Sequence, residues 1–197
     1  NEEKEVDNDK KIEAIRAAVD DSGNRAEDVA VLEKAIELRE EARALMAYMT
    51  NFKDSITNMT GGRDENGKYQ GYKDVDAVSR FMVKLGNGDS LQNRLNKYTE
   101  MVREATEDTS IVDLARNANQ IPIYKDNDAF NHLPFKELNF GYNTPMVGGL
   151  ASLSQLQNDL INLEIKALDH LAASVGAADL KFDVVSLTTL PEQKVVA

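Results

Sequence analysis

The chain contains no cysteine and no tryptophan in 197 residues, and only two histidines and four prolines. The missing cysteines exclude disulfides, thiolate zinc sites and cysteine nucleophiles together. The two histidines, His132 and His170, stand far apart in sequence. Glu164, Lys166, Asp169 and His170 do not form the H-E-x-x-H spacing that puts two ligands on one helical face. No stretch approaches the ~20 apolar residues needed to cross a bilayer, and no signal peptide is visible. The sequence opens on Asn1 and runs directly into Glu2-Glu3-Lys4-Glu5. It therefore reads as a piece of a longer protein, from which a signal or membrane anchor has been lost.

What is present is acid and helix-forming. Thirty-four acidic residues face 23 basic ones, a net charge of −11. Such a surface repels nucleic-acid phosphates and anionic headgroups as a whole, so neither is an expected direct partner. The charges are interspersed along helical faces and read mainly as solvated surface. Aliphatic content is that of a globular chain with one well-buried core.

Apolar spacing predicts an all-α fold, an elongated up-and-down bundle over residues 1–178. A charged helix at 3–20 places Val6, Ile12, Ile15 and Val19 inward, and Asp21-Ser22-Gly23-Asn24 ends it. A long helix from Ala26 to Met59 carries Val29, Leu32, Ile36, Ala42, Leu45, Met49, Phe52, Ile56 and Met59 on one stripe. That stripe has one weak turn around Arg39, and Gly61-Gly62 ends the helix. Residues 63–73 read as an exposed loop or loose hairpin. A third helix at Val75–Leu85 turns Val78, Phe81, Met82 and Leu85 inward. A fourth, capped by Asp89 or Ser90, runs to about Glu107 on Leu91, Leu95, Tyr98, Met101 and Val102. A short helical piece is expected at Ser110–Arg116. Residues 117–143 form a long connection with aromatic anchors Tyr124, Phe130, Phe135, Phe140 and Tyr142. In the last helix Thr144 is the expected cap and Pro145 the first helical residue. Its stripe is Leu150, Leu153, Leu156, Leu160, Leu163, Ala167, Leu171 and Val175, and Gly176 ends it. Residues 179–197 change to a β-like pattern and read as a strand and linker into a missing β-sandwich domain. Two helices of about 30 residues span roughly 45 Å, the proportions of a long bundle.

The search for chemistry finds no catalytic, cofactor or metal motif. Asp64-Glu65-Asn66-Gly67 lacks the remainder of a calcium loop, and Asp126-Asn127-Asp128 has no completing pattern. No Glu-x-x-His pair suggests a di-iron bundle. Gly61-Gly62 and Gly148-Gly149 belong to no phosphate-binding loop. Gly148-Gly149 lies where each glycine costs a helix ~1 kcal/mol relative to alanine. Small residues there admit a close neighbour, either within the domain or from a partner. The candidate partner or packing contacts are Phe130, Phe135, Phe140, Tyr142, Pro145, Gly148 and Gly149, since aromatic anchors serve both core and interface.

The segment from Asn139-Phe140-Gly141-Tyr142-Asn143-Thr144-Pro145 through Met146-Val147-Gly148-Gly149-Leu150 to Gln157-Asn158-Asp159-Leu160 resembles the GldM/PorM family. These are periplasmic motor-shaft proteins of gliding motility and type IX protein secretion in Bacteroidetes. The exit Lys181-Phe182-Asp183-Val184-Val185 with Leu190-Pro191-Glu192-Gln193 is similar to that family's lead into its first β-sandwich. The glycines at 148 and 149 depart from the somewhat larger small residues expected there. The resemblance implies the helical first periplasmic domain of an inner-membrane-anchored protein. It implies a homodimer whose absent transmembrane helix pairs with a GldL/PorL-type protein, and whose later domains engage GldK/GldN (PorK/PorN)-type ring proteins. On this expectation the domain is not an enzyme and transmits proton-driven motion.

The competing expectation is a periplasmic ligand-sensing bundle of a chemoreceptor-like protein. It predicts a polar pocket between helices and a last helix returning to the membrane. The β-like tail counts against it.

Overall fold

The computed structural model describes residues 2–177, so the expected strand and linker at 179–197 lie outside the described residues. Within them the fold is all-α. Four long helices carry it: α1 (Glu2–Asp21), α2 (Ala26–Met59), α4 (Asn87–Thr106) and α7 (Met146–Ser174). Shorter pieces are α3 (Ala77–Ser79) running into a π-helical turn at Arg80–Lys84, a 3₁₀ turn at Ala118–Gln120, α5 (Pro122–Lys125) and α6 (Phe135–Phe140).

Side-chain pairs fix the direction of each helix. Arg39 of α2 meets Glu164 of α7, and Gln157 of α7 donates to Thr50 and to the Met46 carbonyl, so the two run antiparallel. Lys4 donates to Asn162 and Lys11 pairs with Asp169, so α1 descends beside α7 in the same direction. Arg94 of α4 stacks over Tyr48 of α2. Thr106, at the foot of α4, lines a cleft with Lys166 and His170 near the foot of α7. Helices α1, α2 and α4 thus alternate in direction. The stretch between Thr106 and Met146 then climbs back along the bundle before α7 descends. This explains its length, because joining two parallel helices means travelling back along the whole body. Helix α1 covers only the lower half, and α3, the π turn and α6 close the upper half.

Turns form where left-handed backbone is available. Gly23 and Asn24 (φ +79° and +56°) separate α1 from α2. After α2, Gly61 and Gly62 (φ +97° and +78°) let Gly62 N–H reach the Thr57 carbonyl at 2.9 Å. The hairpin at 63–73 is present in minimal form, as one antiparallel bridge between Arg63 and Tyr69.

The core is built from the predicted stripes. Leu45, Met49 and Ile56 of α2, Leu91, Leu95, Tyr98 and Val102 of α4, and Leu153, Leu160, Ala167 and Leu171 of α7 are essentially sealed. Burying each large aliphatic side chain favours the fold by about 1.5–3 kcal/mol, so these stripes dominate the energetics.

Several local expectations are corrected. Val6, Met59 and Leu85 are exposed, at 53%, 38% and 65%. Residues 110–116 are not helical, and Arg103 holds them to α4 through the Ile111 carbonyl and Asp113. Helix α4 starts at Asn87 after a left-handed Gly86, with no side-chain cap from Asp89 or Ser90. Pro145 occupies the cap position of α7 in an extended conformation, so Thr144 does not cap. The Pro145 backbone is extended (ψ 151°) while its carbonyl accepts the first intrahelical bond, from Gly149 N–H, and the Met146 N–H is tied to the Asp74 carbonyl, so the helix starts one residue onward.

Candidate functional site

Two features stand out from an ordinary helical core. The first is a buried charge cluster at mid-height. Arg39 interrupts the apolar stripe of α2, and its guanidinium has every edge engaged. It donates to Glu164 Oε1 and Oε2 at 3.1 and 3.3 Å, to Asp9 at 3.0 Å and to the Glu5 carbonyl at 2.9 Å. The side chains of Arg39 and Glu164 are only 5% and 1% exposed. Asp9 is half-exposed and also accepts from Arg43 at 2.6 and 2.7 Å. One arginine of α2 thus ties α1 to α7. Arg43 pairs with Asp9 of α1 rather than with a carboxylate of its own helix.

Burial pushes the Glu164 carboxyl up, against the pull of the Arg39 charge. The hydrogen bond from Arg39 holds Asp9 below the ordinary carboxylate range. The Tyr98 phenol is driven well above its usual range by burial and by the Glu164 charge. Its hydroxyl has no hydrogen-bonding partner among the described residues. A buried polar group left in this state costs about 1–3 kcal/mol. The fully buried Asn8 amide stands beside the Glu164 carboxyl and favours its charged form, with both of its polar atoms off full hydrogen-bond geometry.

The second feature is the upper end, where the predicted contact residues separate into two kinds. Phe135 and Phe140 are sealed, 6.0 Å apart and edge to face. Gly149 is buried, and a Cβ there would stand 2.6 Å from a methyl of Val78. These three pack within the domain. Tyr142 is 79% exposed, Phe130 is 42% exposed beside Tyr124, and Pro145 is also at the surface. Gly148 is half-buried, with room for a methyl group. The seven residues therefore do not converge on one site.

Among the described residues no group of three or more His, Asp and Glu is arranged to hold a metal ion. The Asp64 carboxylate accepts from the N–H groups of Asn66 and Lys68, closing its own turn. His132 and His170 are both exposed. A cleft of about 570 Å³ between the feet of α4 and α7 is lined by Ser110, Val112, Asn162, Lys166 and His170, among others. No helix of the described residues is long and apolar enough to cross a membrane.

The charge cluster was not foreseen as a site. Its signal was the weak turn of the α2 stripe at Arg39, together with Glu164, whose neighbours at three and four residues, Leu160, Ile161, Ala167 and Leu168, are all apolar.

Compared with known families, residues 1–174 match the GldM N-terminal domain. No curated protein matches the chain. With the match covering nearly all of it, the chain belongs to the GldM N-terminal domain family, and thereby to the components of gliding-motility and type IX secretion machinery.

Proposed function

We propose that this domain is a non-catalytic, force-transmitting element of that machinery. It stands in the periplasm, carried by an inner-membrane anchor that precedes α1, and passes proton-driven motion outward. A GldL/PorL-type protein would meet the anchor, later domains would meet GldK/GldN (PorK/PorN)-type rings, and the working unit would be a homodimer. The observation that carries the reading, beside family membership, is mechanical. Helices α2 and α7 pack antiparallel over most of their length, roughly 40 Å at ~1.5 Å per residue. Arg39 then fastens α1 lengthwise to both. A body of this kind moves as one rod, because interiors packed to crystal-like density have low compressibility and transmit strain.

The test is to insert a long flexible glycine–serine linker after residue 177 of the full-length protein in a secreting, gliding cell. Assembly with the neighbouring proteins should survive, while secretion and gliding are lost. Normal secretion with the linker in place refutes force transmission through this joint.

A further inference from the structure

We propose that the upper end of the bundle rests on the surface of an anionic phospholipid bilayer. Net charge argues against such contact for the chain as a whole, but the charge is unevenly distributed. Between Thr60 and Leu85 five cations (Arg63, Lys68, Lys73, Arg80 and Lys84) face four carboxylates, a net +1 within a chain of −11. Among the described residues none of these five cations forms an ion pair, whereas six of the nine in residues 1–58 do. Two of the four carboxylates, Asp64 and Asp74, are turned to backbone N–H groups of their own loops.

The same end carries much of the exposed apolar surface. Tyr72, Val75, Tyr142 and Val147 are 48%, 38%, 79% and 42% exposed. The backbone brings their segments together, since Met146 N–H donates to the Asp74 carbonyl at 2.7 Å. Lys73 lies over the Tyr72 ring, 5.3 Å from its centroid. Tyrosines with an apolar body and a wet hydroxyl, ringed by lysine and arginine that have no carboxylate partner, match the headgroup boundary of a bilayer; Arg63 is the one already engaged, by the Gly67 carbonyl and Tyr69.

Chain direction gives the same orientation. Helix α1 begins at mid-height, beside Asn162, and descends, so its N-terminal end points toward the upper end. Ala177 lies beyond the foot of α7, about 40 Å away. The anchoring proposed above would therefore point the upper end at the membrane and the foot toward later domains. The inference takes only this orientation from that reading.

The absence of cysteine gives a clean test. Val147→Cys and, as the far-end control, Asp21→Cys each accept one environment-sensitive probe. The chain is tethered through an N-terminal polyhistidine tag to nickel-chelating lipid, on vesicles of phosphatidylethanolamine with phosphatidylglycerol and brominated lipid. The probe at 147 should shift to the blue and be quenched, and the probe at 21 should do neither. Without the tether, Lys73→Gln and Lys84→Gln should each weaken vesicle flotation about fivefold. Tyr72→Ser with Tyr142→Ser, both exposed positions, should abolish quenching with helicity unchanged by circular dichroism. A probe at 147 that stays unquenched on tethered vesicles overturns the proposal, and that is also the outcome if this face serves a protein partner. Because the tether supplies attachment, a protein without a native anchor would not alter the result. Carbonate extraction of the full-length protein tests the anchor separately.

Discussion

Replacing Arg39 by methionine isolates the central charge cluster. The substitution keeps a long unbranched side chain in the α2 stripe but strands Glu164, whose side chain is 1% exposed. Asp9 is half-exposed and keeps Arg43, so its loss is small, as for surface pairs generally. The cost is therefore set by Glu164, and breaking a buried pair from one side costs about 3–5 kcal/mol. For a domain of this size 1 kcal/mol lowers Tm by about 2–4 °C, which predicts a fall of roughly 6–20 °C. The pH dependence carries its own signature. Burial already raises the folded-state pKa of Glu164, and removing the Arg39 charge raises it further. A carboxyl with a raised folded pKa carries its penalty in full above that pKa and sheds it as pH falls toward the unfolded value. The deficit should be largest at pH 8 and shrink toward pH 5. Arg39→Met with Glu164→Leu removes both charges and should recover to within ~1 kcal/mol of the parent, or exceed it. Urea melts at three pH values read all of this. An Arg39→Met loss below ~1 kcal/mol, or a double variant as unstable as the sum of the singles, would refute the reasoning.

Gly149→Ala should destabilise by about 1–3 kcal/mol, because its methyl would lie 2.6 Å from Val78, whereas Gly148→Ala should stabilise by up to ~1 kcal/mol. Thermal melts of the two neighbours form an internal control. Asp9, Asp28, Asp74 and Asp108 are held below the ordinary range by hydrogen bonds from Arg39, Ser22, the Ala77 N–H and Ser110 respectively. A depressed folded pKa gives stability that is present above the unfolded value and lost as pH falls through the folded one. Stability should therefore decline below about pH 4, as seen by circular dichroism across an acid series.

The helical class, the two long helices and the inward face of α7 were legible because period-3.6 spacing of leucines admits one arrangement in water. Every predicted stripe position of α7 from Leu150 to Leu171 is buried. Helix ends were less legible. Pro145 fits either the cap or the first turn by composition, and the choice is settled by its extended backbone, with the Met146 N–H held by the distant Asp74 carbonyl, which local sequence does not encode. Leu85 and Val6 show the limit of pattern alone. Each continues an apolar series, but Leu85 follows the π turn and Val6 borders an open groove between α1 and α2, and both stay exposed. The candidate site was legible only as irregularity, a charged residue at a core position. Its partners Asp9 and Glu164 come from helices 30 and 125 residues away, a juxtaposition that local spacing does not encode.

The weakest helix by amphipathic pattern has the most specific polar fastening, and the two facts belong together. The lower half of α1 is held by Ile12, Ile15 and Val19 in the core. Its upper half has almost no apolar face and is held by Asp9 to Arg39 and Arg43, by the Glu5 carbonyl to Arg39, and by Lys4 to Asn162. Apolar burial alone would leave that half free to slide or fray, because hydrophobic attraction is non-directional. Hydrogen-bonded charge pairs fix position along the helix axis as well as distance from it. Under the proposed function, a load carried along the axis of α1 runs parallel to α7. It therefore acts in shear on all of these fastenings at once, rather than peeling them one by one. A helix that only had to fill the core would need none of them. A helix that delivered motion to the rod formed by α2 and α7, as proposed, would need axial registration, and Arg39, which holds α1 and α7 through a single guanidinium, is the group that would supply it.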